Sequence, residues 1–162
     1  MTDGPNMKPE PLTMSRLFAI PREPLFRAWS SVSAVKAWFC PKDCTVFAAE
    51  MDFRPGGAFN IGFRLADGAE CWTRSIYTEI VVPERLVSTS QISESGRPLF
   101  NCQTTLIFTP AGAGTRLEVQ RLYDIIDPLW ANVEKGFKTG WSGVFNRLAA
   151  SVSNTMKDKK NG

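Results

Sequence analysis

The sequence predicts an α+β domain in which a curved, seven-stranded antiparallel sheet wraps around a long C-terminal helix. Short apolar segments separated by turn signals occupy residues 44–122, and one strand and two brief helical patterns precede them. One apolar stripe of helical period then closes the chain over residues 130–152. An amphipathic helix must bury its apolar face, and a curved sheet offers a surface for it. A sheet and helix arranged in this way can leave a cavity between them.

Composition narrows the classes of function. The chain has 162 residues, of which 43% are hydrophobic, as expected for one globular domain. The net charge of +3 owes much to lysines at the C-terminus, so it does not favour nucleic-acid binding. The absence of histidine excludes Ser-His-Asp and Cys-His catalytic pairs and imidazole metal ligands. We therefore expect no cofactor, no metal, no nucleic-acid partner and no membrane span, since no apolar run approaches about 20 residues.

The elements at the N-terminal end are short. Residues 1–11 are proline-rich and are interpreted as a flexible leader, followed by one domain over 12–154 and a basic tail over 155–162. Residues 12–20 form an apolar strand that Pro21 ends. Two short helices follow, one beginning near Pro24 and one over residues 34–39.

Turn residues separate the strands that come next. Six strands are predicted, at residues 44–53, 58–65, 70–80, 85–92, 101–109 and 115–122. The Pro-Gly-Gly turn at Pro55 needs the conformational freedom of glycine. Asp67-Gly68 is a two-residue hairpin signal, and a longer polar loop is expected before Leu99.

The final helix has one apolar face. That face comprises Trp130, Val133, Phe137, Trp141, Val144, Phe145, Leu148 and Val152. Gly136, Gly140 and Gly143 interrupt this helix, at a cost of up to about 1 kcal/mol each relative to alanine. Glycine lets another group approach a backbone closely, so these positions favour a cavity over a solid core.

Cysteine spacing indicates no metal site. Cys40 and Cys44 are separated by three residues, and Cys71 and Cys102 stand alone. We interpret all four as reduced, mostly buried thiols, with a four-cysteine metal site as the alternative. The N-terminal segment has no apolar signal core, so a cytoplasmic location is expected.

Several motifs resemble a known family. The segment Arg16-Leu-Phe-Ala-Ile-Pro-Arg-Glu-Pro-Leu-Phe-Arg-Ala-Trp29 resembles the opening of the SRPBCC superfamily, in its branch of activator of heat-shock-protein-90 ATPase homologue-like proteins. Further matching stretches are Trp38-Phe-Cys-Pro41, Asp52-Phe-Arg-Pro-Gly-Gly57, Asp67-Gly68 with Tyr77-Thr-Glu-Ile80 and Pro83-Glu-Arg-Leu86, and Gly140-Trp141. The resemblance implies the helix-grip (START-like) fold with a hydrophobic internal cavity.

Three functions are compatible with that resemblance. The first is binding of a small hydrophobic or amphipathic ligand in the cavity. The second is partnership with a chaperone, which the name of the branch suggests, and the third is cyclase or dehydratase chemistry on aromatic ketides. The enzyme would need an acid or base other than histidine, and Asp52, Glu118 and Tyr77 are its candidates. A homodimer formed through an exposed edge strand is also open.

The hairpin around Asp67-Gly68 predicts a binding face. With a two-residue loop, Phe63 lies opposite Trp72 and Ile61 lies opposite Arg74, and cross-strand partners share a face. If that face is concave, Arg74 places a charge in an apolar pocket, where a carboxylate or phosphate would pair with it. Alternatively, Arg74 lies at the sheet margin in water or pairs with Glu70. Tyr77 has the opposite strand phase, so the outer face is expected for it.

No catalytic or metal-binding residue is assigned. The predicted ligand-binding residues are Phe63, Trp72, Arg74, Trp141 and Phe145. The aromatic members can equally be core. Glu50, Asp52 and Arg54 alternate on one strand face, but Asp52 and Arg54 border the Pro-Gly-Gly turn, which favours a turn brace over a pair of catalytic carboxylates.

Overall fold

One strand, two short helices, six strands and a long helix follow one another in the computed structural model, which describes residues 11–161 and the side chains through Lys157. The elements are β1 (Leu12–Phe18), α1 (Arg22–Arg27), α2 (Val32–Lys36), β2 (Thr45–Met51), β3 (Ala58–Arg64), β4 (Glu70–Val81), β5 (Arg85–Glu94), β6 (Arg97–Ala111), β7 (Gly114–Ile125), a 3₁₀ turn (Pro128–Trp130) and α3 (Glu134–Asn161). This order confirms the predicted fold class. The leader predicted over residues 1–11 lies outside the described residues except for Pro11, and α3 continues into the stretch predicted as a basic tail.

All seven strands form one antiparallel sheet in the order β1-β7-β6-β5-β4-β3-β2. Strands β2 to β7 run as a meander, and β1 closes the arrangement by pairing with β7. The apolar face of α3 packs against the sheet, where the rings of Phe145 and Phe18 form a T-shaped contact with 5.5 Å between ring centroids. Within the described chain, no helix is long and apolar enough to cross a membrane.

A side-chain cap stabilises the start of the short helix α2, and the indole of Trp38 anchors the segment that follows this helix. Ser31 accepts a hydrogen bond from the Ala34 N–H at the start of α2. The indole N–H of Trp38 donates to the Ala28 carbonyl at 2.9 Å, so both short helices are joined by a buried contact. Trp29 packs against Trp38 with 4.3 Å between ring centroids. These aromatic residues form one wall beside α3.

The β5–β6 connection is tighter than the sequence predicts. Glu94 pairs with Arg97, which leaves only Ser95 and Gly96 in the loop. Both loop residues have positive φ, the conformation of a type I′ turn. The expected polar loop up to Leu99 is therefore wrong, because two left-handed residues reverse the chain and β6 begins at Arg97.

The β3–β4 connection is longer by one residue than predicted. Leu65 donates its N–H to the Ala69 carbonyl, and the Gly68 N–H donates to the Leu65 carbonyl. The loop thus holds three residues, 66–68, with Gly68 at positive φ, as in a type I turn followed by a bulge. Asp67 accepts from the Ala69 N–H and stabilises this turn.

Two of the cysteines are joined. Cys40 and Cys44 form a disulfide, and Cys71 and Cys102 are free and buried. The prediction of four reduced thiols is therefore wrong for Cys40 and Cys44. In the turn between them, the Cys44 N–H donates to the Pro41 carbonyl, and the Cα atoms of the two cysteines lie 5.4 Å apart, within disulfide range.

Candidate functional site

A cavity of about 440 Å³ lies between the concave face of the sheet and α3. This volume is within the range of small-molecule sites, roughly 300–1,000 Å³. Aromatic side chains from several elements form most of its wall, among them Trp29, Trp38, Phe63, Phe100, Phe137 and Trp141. The lining is therefore mainly apolar, as in sites that hold an apolar or amphipathic molecule.

Two helix glycines border the cavity. A Cβ built on Gly136 or on Gly140 would meet no atom within 4 Å, and both residues line the cavity. The third, Gly143, is different, because its Cβ would come within 3.0 Å of the Arg147 guanidinium. The prediction that helix glycines mark a cavity is thus confirmed for the first two positions.

A row of polar side chains crosses the floor of the cavity. Strand register places Tyr77 opposite Ser88, Ser88 opposite Thr104, and Thr104 opposite Arg121. Each of four neighbouring strands contributes one member, and all four residues line the cavity. We call these four residues the polar row. It gives an otherwise apolar cavity a line of hydrogen-bonding groups.

A second row lies alongside, formed by Ser75, Ser90, Cys102 and Tyr123 on the same four strands. The hydroxyls of Ser75 and Ser90 are 2.7 Å apart and satisfy one another. The Tyr123 hydroxyl accepts a hydrogen bond from Arg121 at 3.4 Å. Arg121 therefore bonds into both rows.

Arg121 is the one charged side chain among the described residues that line the cavity. Its Nε donates to Thr104 Oγ1 at 3.0 Å, and its guanidinium carbon lies 5.1 Å from the ring centroid of Trp141 on α3. Burial lowers the pKa of Arg121, whereas negative charge on Cys102 or Tyr123 and the hydrogen bond to Tyr123 raise the pKa, so that its net shift is upward. The guanidinium therefore carries its charge into the cavity.

The two cavity tyrosines are neutral groups. Burial raises the pKa of Tyr77, and it also raises the pKa of Tyr123, where the positive charge of Arg121 offsets part of the effect. The Tyr77 hydroxyl has no hydrogen-bond partner among the described residues, whereas the Tyr123 hydroxyl accepts from Arg121. Both phenols can donate a proton to a hydrogen bond inside the cavity.

Two of the five predicted site residues line the cavity. Phe63 lies on the β3 side, and Trp141 lies on α3. Phe145 does not line it: this ring is fully buried, in edge contact with Phe18 and Trp141. Phe145 therefore supports the cavity from behind instead of facing it.

The other two residues lie on the opposite face of the sheet. In the observed register, Ile61 pairs with Thr73 and Asn60 pairs with Arg74. The placement of Trp72 and Arg74 in the binding face is wrong, because the three-residue loop shifts the register by one residue and a one-residue shift exchanges faces. Arg74 instead stacks over the Trp72 ring, 4.4 Å from its centroid, on the convex side.

The same shift brings Tyr77 inside, where it is buried and lines the cavity, so its assignment to the outer face is wrong. Asp52 pairs with Arg54 at 2.7 Å on exposed side chains, which confirms the turn brace. Glu118 accepts from Gln120 and lies in the strand phase opposite to Arg121. Of the three candidate catalytic groups, only Tyr77 reaches the cavity.

Sequence reasoning missed Arg121, although a signal was present. In β7 the buried residues Leu117, Val119, Tyr123 and Ile125 alternate with more accessible ones. Arg121 occupies the buried phase of this alternation, where a charged residue is unusual. No group of three or more potential metal ligands occurs in the part of the chain that the structure describes.

Comparison of the sequence with known protein families identifies one that matches most of the chain. The family described as "Activator of Hsp90 ATPase homolog 1-like protein" matches residues 19–153. No curated protein matches the chain.

Solved structures share the fold. A protein from Rhizobium loti is 27% identical, with a TM-score of 0.76, and the match covers 87% of this chain and 95% of that one. A protein from Chromobacterium violaceum is 26% identical, with a TM-score of 0.74 over 90% of this chain and 98% of that one. An uncharacterised protein from Rhizobium leguminosarum, 23% identical, has a TM-score of 0.80 over 89% and 94% of the two chains.

Proposed function

Because the chain belongs to the family of activator of Hsp90 ATPase homolog 1-like proteins and has its helix-grip fold, we propose that it binds a small hydrophobic or amphipathic molecule in the cavity beneath α3. One observation carries the proposal: an apolar cavity of about 440 Å³ remains between sheet and helix. Protein interiors are otherwise close-packed, and an apolar space of this size costs stability that a bound molecule can recover.

Phe63 and Trp141 remain the proposed wall residues, joined by Trp29, Phe100 and Phe137. Gly136 and Gly140 keep the helix side of the cavity open. The polar row lets a molecule with one polar end orient itself, since apolar contacts alone do not fix orientation.

Native mass spectrometry of gently purified protein tests the proposal, followed by denaturing analysis of any released molecule. A retained species of defined mass is expected. The variant Trp141→Ala should lose it, whereas the matched variant Trp72→Ala, which removes an indole from the convex face, should retain it. Equal retention by both variants would place the ligand elsewhere.

The family description favours a second candidate, binding to a chaperone of the heat-shock-protein-90 class with stimulation of its ATPase. A pull-down with that chaperone and an ATPase assay test it directly. An unchanged ATPase rate at saturating protein, together with no recovery in the pull-down, would remove this candidate. Neither result bears on the cavity.

A further inference from the structure

Arg121 differs from the surface arginines in its electrostatic environment. Arg54, Arg64 and Arg85 each pair with a carboxylate at 2.7 Å or closer, on side chains that are largely exposed. Arg121 points into the cavity, and within the described residues no carboxylate lies within 4 Å of its guanidinium. Arg121 therefore carries a positive charge at a largely apolar cavity without a carboxylate partner, a position in which an anion held in the cavity would supply the missing counter-charge.

The hydrogen bonds of Arg121 likewise leave room for a ligand. A guanidinium has five N–H donors, and protein acceptors receive two of those of Arg121: the Thr104 hydroxyl at 3.0 Å and the Tyr123 hydroxyl at 3.4 Å. Both acceptors are neutral. Three donors have no partner in the described part of the chain, at the edge of a cavity large enough to hold a ligand.

From these observations we propose that the cavity selects ligands that carry a carboxylate, which pairs with Arg121 while the apolar remainder of the ligand lies against the aromatic wall. This inference rests on the proposed ligand-binding function and specifies its ligand class. A planar carboxylate matches the fork of N–H groups on a guanidinium, so two parallel hydrogen bonds can form.

Neighbouring groups fit the same ligand. The Tyr123 hydroxyl accepts from Arg121 and keeps its own proton, because its pKa is raised, so it can donate to a carboxylate oxygen. The indole of Trp141 lies 5.1 Å from the guanidinium carbon and covers one side of the charge. Thr104 fixes Nε, which orients the remaining donors.

The test compares acids with their own primary amides, which have similar shape but no charge. Isothermal titration calorimetry with the full chain would use decanoate and decanamide, and 1-naphthaleneacetate and 1-naphthaleneacetamide. We expect each acid to bind at least tenfold more tightly than its amide at neutral pH. Arg121→Met should abolish this preference while amide affinity stays within about threefold of wild type.

Arg74→Gln is the matched control, since it removes one arginine charge from the convex face of the sheet, and it should keep the preference. Arg121→Lys, which retains charge but not the planar fork, guards against misfolding of the methionine variant and should keep part of the preference. Equal binding of acid and amide by wild type would overturn the carboxylate inference and leave the cavity function standing. Absence of binding by both series would overturn both.

Discussion

Arg147 on α3 donates from Nε to the main-chain carbonyl of Trp38 at 2.9 Å. The same guanidinium reaches the carbonyl of Phe39 at 3.3 Å, so the long helix holds the turn that follows α2. Burial lowers the pKa of Arg147, and the carbonyl acceptors compensate for lost hydration. Because Trp38 and Phe39 line the cavity, this clamp fixes one of its walls.

The clamp yields the first prediction. Arg147→Met should lower the free energy of unfolding by about 1–3 kcal/mol, because two partly buried carbonyls lose their donors. Urea unfolding followed by tryptophan fluorescence measures the change. Lys138→Met, on an exposed position of the same helix, is the control and should shift stability by less than about 0.5 kcal/mol. Equal effects would show that the hydrogen bonds contribute little.

Replacement of Gly140 and of Gly57 by alanine should change the stability of the domain in opposite directions. Gly140→Ala should stabilise the domain by up to about 1 kcal/mol, since its Cβ enters open space in a helix. Gly57→Ala should destabilise it by more than 1 kcal/mol, because the added Cβ would overlap the Asp52 carbonyl oxygen. Thermal unfolding of the two variants distinguishes these cases, and a shift of the same sign in both would contradict the packing described for them.

Alanine variants of Phe145 and Trp141 should differ in stability, because Phe145 lies in the core and Trp141 lies in the cavity wall. Phe145→Ala is expected to cost about 3–5 kcal/mol, because the ring is fully buried against Phe18. Trp141→Ala should cost less despite the larger side chain, since one side of the indole borders the cavity. Chemical denaturation of both variants tests the order, and a larger loss for Trp141→Ala would reverse the assignment.

Alkaline pH should destabilise the domain through its buried phenols. In the unfolded chain tyrosine ionises near pH 10, whereas burial holds the pKa of Tyr77 above that value in the folded state. The folded state therefore binds more protons than the unfolded state above about pH 10, so stability falls as pH rises beyond that point. Thermal melts at pH 8 and 11 measure the fall, and Tyr77→Phe should make it smaller. An unchanged fall would assign it to other groups.

Removal of the Arg121 charge should not lower the free energy of unfolding of the ligand-free protein. Arg121→Met replaces a desolvated guanidinium with an apolar side chain, and we expect the free energy of unfolding to stay equal or rise by about 1 kcal/mol. Differential scanning calorimetry of ligand-free protein measures this. A loss of several kcal/mol would mean that the bonds to Thr104 and Tyr123 already compensate the charge.

The fold was predictable from the sequence because its signals are local. Turn residues at Pro55 and at Asp67-Gly68 mark strand ends, and the spacing from Phe137 to Val152 is helical over several turns. Alternation within each strand assigns residues to two faces without any knowledge of the partner strands.

The site was harder to predict because it depends on register between strands. Asp67-Gly68 is compatible with a two-residue or a three-residue loop, and this single difference decides whether Arg74 or Tyr77 faces α3. Trp141 was predictable because the helix period alone places it on the apolar face. The polar row required four strands to be aligned at once, which sequence alternation does not specify.

The polar row also shows how the chemistry of the cavity lining can change without a change of backbone. Tyr77, Ser88, Thr104 and Arg121 lie on separate strands, and each side chain faces the cavity from a position whose main-chain pairing does not depend on side-chain identity. Substitution at one of them alters one point of the cavity lining while the hydrogen-bonded ladder persists. The sheet thus acts as a fixed frame with interchangeable contacts, on which one fold can supply pockets for chemically different molecules.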